Sequence, residues 1–226
     1  MNMIRKGLSK IGSGLIRLSQ WRYAEPNLSG DRDVEWSWVV GRMGQGPGTA
    51  LDFGCGTTNL GLVAARRGYQ ATAIDQMEIS WPYRMPGLTF VKGDLLSMEL
   101  PLPRYDLILN CSTVEHVGLA GRYGSTARPD GDLEAMRKLR DLAKPGGTML
   151  MTIPVGRDAV FMPLHRVYGE GRLPRLLEGW TVEEQEYWIK QADGRWVQVE
   201  RSEALALQPS TIWYGLGLFV LRCAAY

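Results

Sequence analysis

The sequence predicts a doubly wound α/β fold, in which a mostly parallel sheet of about seven strands carries helices on both faces. Short apolar runs recur along the chain without the alternating polar positions of a half-exposed sheet, and helical stretches separate them. The length of 226 residues suits a single domain, and 45% hydrophobic with 22% charged residues is an ordinary globular composition. Both observations favour one packed domain built around a buried sheet.

Three helices are predicted from the residues that begin and end them. The first begins with Asp31 as an acidic N-cap and ends before the glycine-rich loop 44–48. The second spans Asn59–Arg67 and is closed by a glycine. The third spans Asp132–Ala143, has an aspartate cap, and is stopped by Pro145 and the glycines after it.

The strands divide into a parallel set and an antiparallel C-terminal set. Thr181–Lys190 and Arg195–Glu200 flank Asp193-Gly194, a pair typical of a type I′ hairpin turn, and Trp213–Cys223 is the last apolar strand. The parallel strands are compact apolar runs bounded by Gly, Pro or Asp, at Thr49–Phe53, Ala71–Asp75, Leu88–Val91, Leu107–Cys111 and Met149–Ile153.

A basic segment, residues 1–24, precedes the domain 25–226. It carries five Lys and Arg residues and no acid, so its charge of +5 leaves the rest at about −3 against a total of +2. The domain is therefore not a nucleic-acid binder by charge. Apolar residues at three- and four-residue steps predict an amphipathic helix. This helix is expected to pack on the domain or a partner subunit, with peripheral contact to an anionic membrane as the alternative.

Cysteine usage and hydropathy favour a cytoplasmic protein. Cys55, Cys111 and Cys223 are odd in number and far apart, so neither a disulfide framework nor a structural zinc site is indicated. No window approaches 18 uncharged apolar residues, so any membrane contact is expected to be peripheral.

Carboxylates end three successive predicted strands, at the sheet edge where ligands bind in this fold class. Asp52 precedes a turn with two glycines, and Asn59 stands where a dinucleotide-binding loop needs a third glycine. Asp75 can accept from both ribose hydroxyls, and Asp94 from an adenine amino group. Together they describe an adenosine with a positively charged tail and no phosphate, which is S-adenosylmethionine (SAM).

The chain resembles the class I SAM-dependent methyltransferases, which have Rossmann-like sheets, over residues 49–155. Five motifs carry the resemblance: Leu-Asp-Phe-Gly-Cys-Gly-Thr from Leu51, Ala-Ile-Asp from Ala73, Lys-Gly-Asp-Leu from Lys92, Tyr-Asp-Leu-Ile-Leu-Asn-Cys-Ser from Tyr105 and Lys-Pro-Gly-Gly-Thr from Lys144. Thr58 departs from the pattern, because many members have a third glycine there. The cofactor-binding residues implied are Asp52, Gly54, Cys55, Gly56, Asp75, Gln76, Asp94, Leu95, Asn110 and Cys111.

The two histidines are candidate general bases for methyl transfer to an oxygen. His116, preceded by Glu115, and His165 both follow predicted strands at the ligand-binding edge. Histidine suits this role because its pKa, ordinarily about 6.5, lets it accept a proton at neutral pH. For His116 the alternative is a packing and capping role after strand four. The candidate catalytic residues are His116, His165 and Glu115.

No metal site is predicted. Some family members bind Mg²⁺ through Glu-x-x-Glu-His after strand four, but here Ser112 replaces the first glutamate. Glu115 and His116 remain, and they are few ligands for a cation that prefers several oxygens.

The glycine-rich segment 118–131 is predicted to be a lid over the acceptor, with a flexible surface loop as the alternative. Arginine and tyrosine side chains can hold hydroxyls, a carboxylate or a phosphate of the acceptor. The candidate substrate-binding residues, from this segment and from the region after His165, are Arg122, Tyr123, Arg128, Arg166 and Tyr168.

The sequence thus predicts a methyltransferase acting on an oxygen of a small-molecule or glycan acceptor. The strings 114–119 and 165–180 resemble a poorly characterised methyltransferase branch associated with glycan genes, which implies the sugar acceptor. N- or C-methylation and a non-catalytic SAM-binding partner subunit are the alternatives.

Overall fold

A computed structural model describes residues 30–79, 84–98, 104–121, 123 and 127–224. Within these residues the helices are α1 (Asp31–Arg42), α2 (Leu60–Arg66), α3 (Gly131–Leu142), α4 (Arg172–Leu176) and α5 (Arg201–Ala206). The strands are β1 (Gly48–Phe53), β2 (Tyr69–Asp75), β3 (Leu88–Lys92), β4 (Tyr105–Cys111), β5 (Ala143–Val155), β6 (Ala159–Phe161), β7 (His165–Val167), β8 (Trp180–Lys190), β9 (Trp196–Val199) and β10 (Gly215–Cys223).

The main sheet of the described chain has eight strands in the order β3-β2-β1-β4-β5-β10-β8-β9. Strands β1 to β5 pair in parallel, whereas β10 runs antiparallel to β5 and β8, and β8 antiparallel to β9. The doubly wound, mostly parallel fold with an antiparallel C-terminal part is confirmed. All eight strands of the sheet correspond to predicted strands, against the approximate total of seven. Between β1 and β4 the strand order reverses, which opens a crevice at their carboxyl ends.

Both faces of the sheet are buried under helices, as predicted. Leu51 and Phe53 of β1 belong to a hydrophobic cluster with α3, α4 and α5, whereas Ala50 belongs to a second cluster with α1 and α2. Successive residues of a strand point to opposite faces, so one short apolar run supplies both clusters. This explains why the parallel strands lack a polar face.

Three local details differ from the sequence-based expectation. The N-cap of α1 is Gly30, and Asp31 is the first residue of the helix. The β8–β9 connection is not a type I′ turn, because Gly194 has a positive φ but Asp193 does not. The Gly194 N–H donates to the Gln191 carbonyl at 2.8 Å, so the loop is longer than two residues. Strand β5 begins directly after α3, earlier than predicted.

The β6–β7 hairpin is absent from the predicted elements. It follows β5 and stands at the carboxyl edge of the sheet, where the Tyr168 N–H donates to the Pro154 carbonyl at 3.0 Å. Its strands have three residues each, too few to produce a recognisable pattern.

Two predictions concern the N-terminal segment and membrane spans. Residues 1–24, with the predicted amphipathic helix, lie outside the described residues. Among the helices that the structure describes, none has the length and apolar character to cross a bilayer.

Candidate functional site

A cavity of about 490 Å³ opens at the carboxyl ends of β1 to β4, within the usual size range of small-molecule sites. Helix α1 contributes Arg32 and Trp36 to its wall, which the sequence analysis did not anticipate. The predicted site residues that line the cavity are Gly54, Gly56, Asp75, Gln76, Asp94, Leu95, Cys111, His116, Tyr123 and Arg128.

The two-glycine turn after β1 is tied to the end of β2. Gly54 has φ +65°, and a Cβ there would stand 2.0 Å from Cγ2 of Thr113, so only glycine fits. The Gly56 N–H donates to Oδ2 of Asp75 at 2.9 Å, while Oδ1 of Asp75 accepts from the Met77 N–H at 2.8 Å. Both oxygens of Asp75 are therefore oriented by backbone groups at the cavity wall.

Asp94, at the end of β3, is oriented in a similar way. Oδ1 accepts from the Leu96 N–H at 3.0 Å, and Oδ2 from the Ser97 hydroxyl at 3.2 Å. Its neighbour Leu95 is buried and packs into the core. Asp75 and Asp94 thus face one cavity from adjacent strands.

Asp52 does not join them, contrary to the sequence-based expectation. It lies buried beneath the glycine turn, where Oδ2 accepts from the Gly61 N–H of α2 at 2.8 Å. Burial raises the pKa of Asp52 to about 7; the charge of Asp75 adds to this increase, and the hydrogen bond from Gly61 opposes it. Cys55 is likewise buried and off the cavity wall.

The end of β4 divides into a residue off the cavity wall and residues on it. Asn110 is fully buried and absent from the cavity wall, since its Oδ1 accepts from the Val114 N–H at 3.3 Å. Cys111 and Ser112 line the cavity. Ser112 has φ +48°, unusual for a residue with a side chain, and its N–H donates to the Thr152 carbonyl at 3.0 Å.

A buried carboxylate from α1 holds this region together. Glu35 is 0% exposed; Oε1 accepts from the hydroxyls of Ser112 and Thr152, the latter at 2.7 Å, and Oε2 from Nη1 of Arg32 at 2.9 Å. Burial raises the pKa of Glu35, although Arg32 and the two hydroxyls oppose the increase. The signal that could have found this group is an acidic residue within the buried stripe of α1, between Val34 and Trp38.

His116 reaches the cavity from the short 3₁₀ turn Val114–His116. Its Nδ1 lies 2.6 Å from the Leu164 carbonyl oxygen, and because a carbonyl only accepts, Nδ1 must carry the proton. In the neutral ring the lone pair is then on Nε2, which lies 3.6 Å from Oε1 of the buried Glu115. The ring also packs edge-on against Tyr123, with centroids 5.5 Å apart.

Three other predicted residues are buried away from the cavity. His165, 6% exposed, packs between the rings of Phe161 and Tyr214. Arg166, 2% exposed, donates to the Val117 carbonyl at 2.6 Å and to backbone carbonyls of the segment before α3. The Tyr168 hydroxyl donates to Asp132 at 3.2 Å. The polar groups of Arg166 and Tyr168 are bonded to other residues of this chain. The structure therefore does not support their expected contact with an acceptor.

The glycine-rich segment is described only at 118–121, 123 and 127–131, and Arg122 lies outside the described residues. The Arg128 N–H donates to the Gly118 carbonyl at 2.9 Å, which joins the two ends of this segment. Within the described ranges no group of three or more His, Cys, Asp or Glu residues could hold a metal ion.

Comparisons with known proteins identify the fold. A family model described as a Caenorhabditis protein of unknown function, DUF268, matches residues 94–194. No curated protein gives a significant match. The 1,6-didemethyltoxoflavin-N1-methyltransferase of Burkholderia thailandensis, solved with 1,6-didemethyltoxoflavin and S-adenosylhomocysteine, is 15% identical with a TM-score of 0.60, over 97% of this chain and 90% of that one.

Two further structures are similar at comparable distance. The N-methyltransferase NodS of Bradyrhizobium japonicum WM9, in complex with S-adenosylhomocysteine, is 17% identical with a TM-score of 0.55, over 88% of this chain and 89% of that one. The [4+2]-cyclase SpnF is 16% identical with a TM-score of 0.59, over 86% and 82% of the two chains. The chain therefore has the class I methyltransferase fold, and the cyclase illustrates that this fold does not by itself define the reaction.

Proposed function

We propose that this chain is a SAM-dependent methyltransferase. The observation that carries the proposal is the pair of oriented carboxylates, Asp75 and Asp94, which open with the Gly54–Gly56 turn into one cavity at the reversal of strand order. A Cβ built on Gly56 meets nothing within 4 Å, so the backbone there leaves room for a ligand to approach. The S-adenosylhomocysteine in two structures of the same fold supports the assignment.

The residues suit the parts of a sulfonium nucleoside. Each oxygen of Asp75 has a second lone pair that can accept from a ribose hydroxyl, and Asp94 can accept from the adenine amino group. Cys111 stands at the tip of β4 beside them. When bound, SAM supplies an activated methyl group, and the chain's own task is to align the acceptor and exclude water.

His116 is the base in this proposal, and the acceptor atom is an oxygen. The hydroxyl proton of an acceptor held beside the ring would pass to Nε2 of His116. Glu115, with Oε1 at 3.6 Å, stabilises the positive ring that results, and the Leu164 carbonyl keeps the ring oriented through Nδ1. The acceptor is a small molecule or a glycan-linked sugar, and the protein acts in the cytoplasm.

N-methylation is the second candidate. The didemethyltoxoflavin enzyme is an N1-methyltransferase and NodS is an N-methyltransferase. A neutral amine needs less help from a base, so an N-methyltransferase would depend weakly on His116. A SAM-binding partner subunit without its own activity is a further alternative, in which residues 1–24 contact a second subunit or a membrane.

Calorimetry and turnover test the proposal in sequence. Titration with S-adenosylhomocysteine is expected to give one site per chain, and the absence of binding would overturn the proposal. Transfer from methyl-labelled SAM to matched hydroxyl and amine acceptors then separates O- from N-methylation. Binding without turnover on either set would favour the partner-subunit alternative.

A further inference from the structure

Charged side chains are segregated along the cavity wall. The acidic residues Asp75 and Asp94 lie at the tips of β2 and β3, whereas Arg32 is joined through Glu35 to Ser112 at the end of β4, and Arg128 is bonded to Gly118, two residues after His116. The acidic half is the one assigned to the adenosine. The two arginines lie outside that half, on the side of the proposed base His116.

Arg32 is built into this wall. Glu35 accepts from its Nη1 at 2.9 Å and is itself anchored by the hydroxyls of Ser112 and Thr152. The Glu35 carboxylate is fully buried, and a buried carboxylate costs free energy unless it is paired. Moving the Arg32 guanidinium away would leave this carboxylate without its cation, so the pair holds Arg32 in place. The Arg32 side chain is 49% exposed, and among the described residues only its Nη1 donates to a protein group, so its other N–H groups can meet a ligand.

Arg128 supplies a second guanidinium that is easier to move. Its backbone is fixed by the hydrogen bond to Gly118, and its side chain pairs with Glu134 at 3.1 Å. Both members of that pair are more than a third exposed, and such surface pairs contribute little free energy. An anion in the cavity can therefore compete for Arg128. Trp36, one turn after Arg32 in α1, adds an aromatic surface to the same wall.

We propose that Arg32 and Arg128 bind a carboxylate or phosphate group of the methyl acceptor, so that the acceptor is an anion. The planar guanidinium matches both groups through paired hydrogen bonds. This inference rests on the proposed function, because the acidic half of the cavity is assigned to SAM.

The test uses matched probes on the full chain saturated with S-adenosylhomocysteine. Inorganic phosphate, 4-hydroxybenzoate and the neutral 4-hydroxybenzamide are titrated by ¹H–¹⁵N NMR at constant ionic strength. We expect 4-hydroxybenzoate to bind at least tenfold more tightly than the amide, and R32Q and R128Q each to weaken binding of both anions at least fivefold. R66Q is the matched control, since Arg66 is exposed at the end of α2 towards the opposite edge of the sheet.

The outcomes separate the two proposals. Absence of S-adenosylhomocysteine binding in the wild type would overturn the proposed function itself. Normal S-adenosylhomocysteine binding with equal affinity for the acid and the amide, or with unchanged anion affinity in R32Q, would overturn the anion site alone. If R32Q loses its thermal transition, R32K decides: retained folding with anion affinity below wild type supports the site, and unchanged anion affinity overturns it.

Discussion

Asp75 serves two purposes at the residue scale, since its oxygens hold the glycine turn and also face the cavity. In D75N an amide NH₂ replaces one oxygen and faces the N–H of Gly56 or Met77, so that backbone N–H loses its acceptor. We expect S-adenosylhomocysteine affinity to fall by about 10- to 100-fold, the effect of roughly 1–3 kcal/mol for an unsatisfied polar group. Isothermal titration calorimetry measures this change directly.

The control for D75N is E78Q, on the same loop, because Glu78 is exposed and lies off the cavity wall. A 2′,3′-dideoxy analogue of S-adenosylhomocysteine completes the comparison. The wild type should bind this analogue more weakly than S-adenosylhomocysteine, whereas D75N should bind the two ligands with nearly equal affinity. If both proteins discriminate equally against the analogue, Asp75 does not bind the ribose.

Asp52 makes stability depend on pH. Its pKa is about 7 in the folded chain because of burial, against about 3.9 in an unfolded chain, so the folded state binds the proton more tightly. The stabilisation is complete below the unfolded value and is lost as pH rises through about 7. Between pH 4 and 8 the free energy of unfolding should fall by up to about 4 kcal/mol from this group.

Urea denaturation of the wild type and D52N at several pH values tests this assignment. The asparagine variant keeps an oxygen for the Gly61 N–H but does not titrate, so its profile should lack this decline. Parallel profiles for the two proteins would mean that Asp52 is ionised in the folded state well below pH 7.

His116 and His165 offer a matched pair of substitutions. H116Q should reduce turnover on a hydroxyl acceptor by about 10²- to 10⁴-fold, the usual contribution of a general base, with S-adenosylhomocysteine affinity within twofold of wild type. H165Q should act on thermal stability, because His165 packs against Phe161 and Tyr214 away from the cavity. Equal turnover in H116Q and wild type would favour transfer to nitrogen.

At the scale of elements, the turn after β1 depends on Gly54 and Gly56. Substitution by alanine should affect the two positions differently. G54A places a Cβ 2.0 Å from Thr113 at φ +65°, so we expect a loss of several kcal/mol, on the order of 2–4. G56A meets no atom within 4 Å and should cost about 1 kcal/mol through its backbone conformation.

Thermal unfolding and calorimetry together distinguish the two variants. G56A should fold but bind S-adenosylhomocysteine at least tenfold more weakly, because its methyl group occupies the cavity wall. A G56A protein with normal affinity would exclude close approach of the ligand to this turn.

The sequence predicted the parallel strands, their ends and the bounds of helix α1 well, but it did not predict that α1 lies against the cavity. The positions of Asp75 and Asp94 at strand ends could be predicted, because an apolar run and the turn after it mark where a strand ends. Asp52 was expected beside them, but its carboxylate lies beneath the turn and accepts from the Gly61 N–H, a contact that nothing in the sequence indicates. Arg32 was missed because the strand order alone does not say which sheet edge an N-terminal helix reaches.

The histidine region shows a second limit. His165 and Arg166 were expected at the ligand-binding edge, yet they belong to the three-residue strand β7, and Arg166 donates to the backbone of the segment before α3. A strand of three residues is too short to show an alternating hydrophobic pattern, so its burial can be recognised only from tertiary contacts.

Metal independence is a prediction for the molecule as a whole. Dialysis against EDTA should change neither S-adenosylhomocysteine affinity nor turnover, because in the described portion of the chain Glu115 and His116 have too few companions to form a cation site. Paired assays before and after chelation measure this. A loss that added Mg²⁺ restores would instead assign these two residues as ligands.

Strand β10 lies between β5 and β8, although it follows both along the chain. Translation delivers residues in order, so the β8–β9 hairpin leaves the ribosome before the strand that connects it to its neighbours. Until then, the 11-residue β8 and the far side of β5 each expose a row of unsatisfied amides and carbonyls. A nascent polypeptide arrested before Gly215 should accordingly be a preferred target for chaperones and proteases.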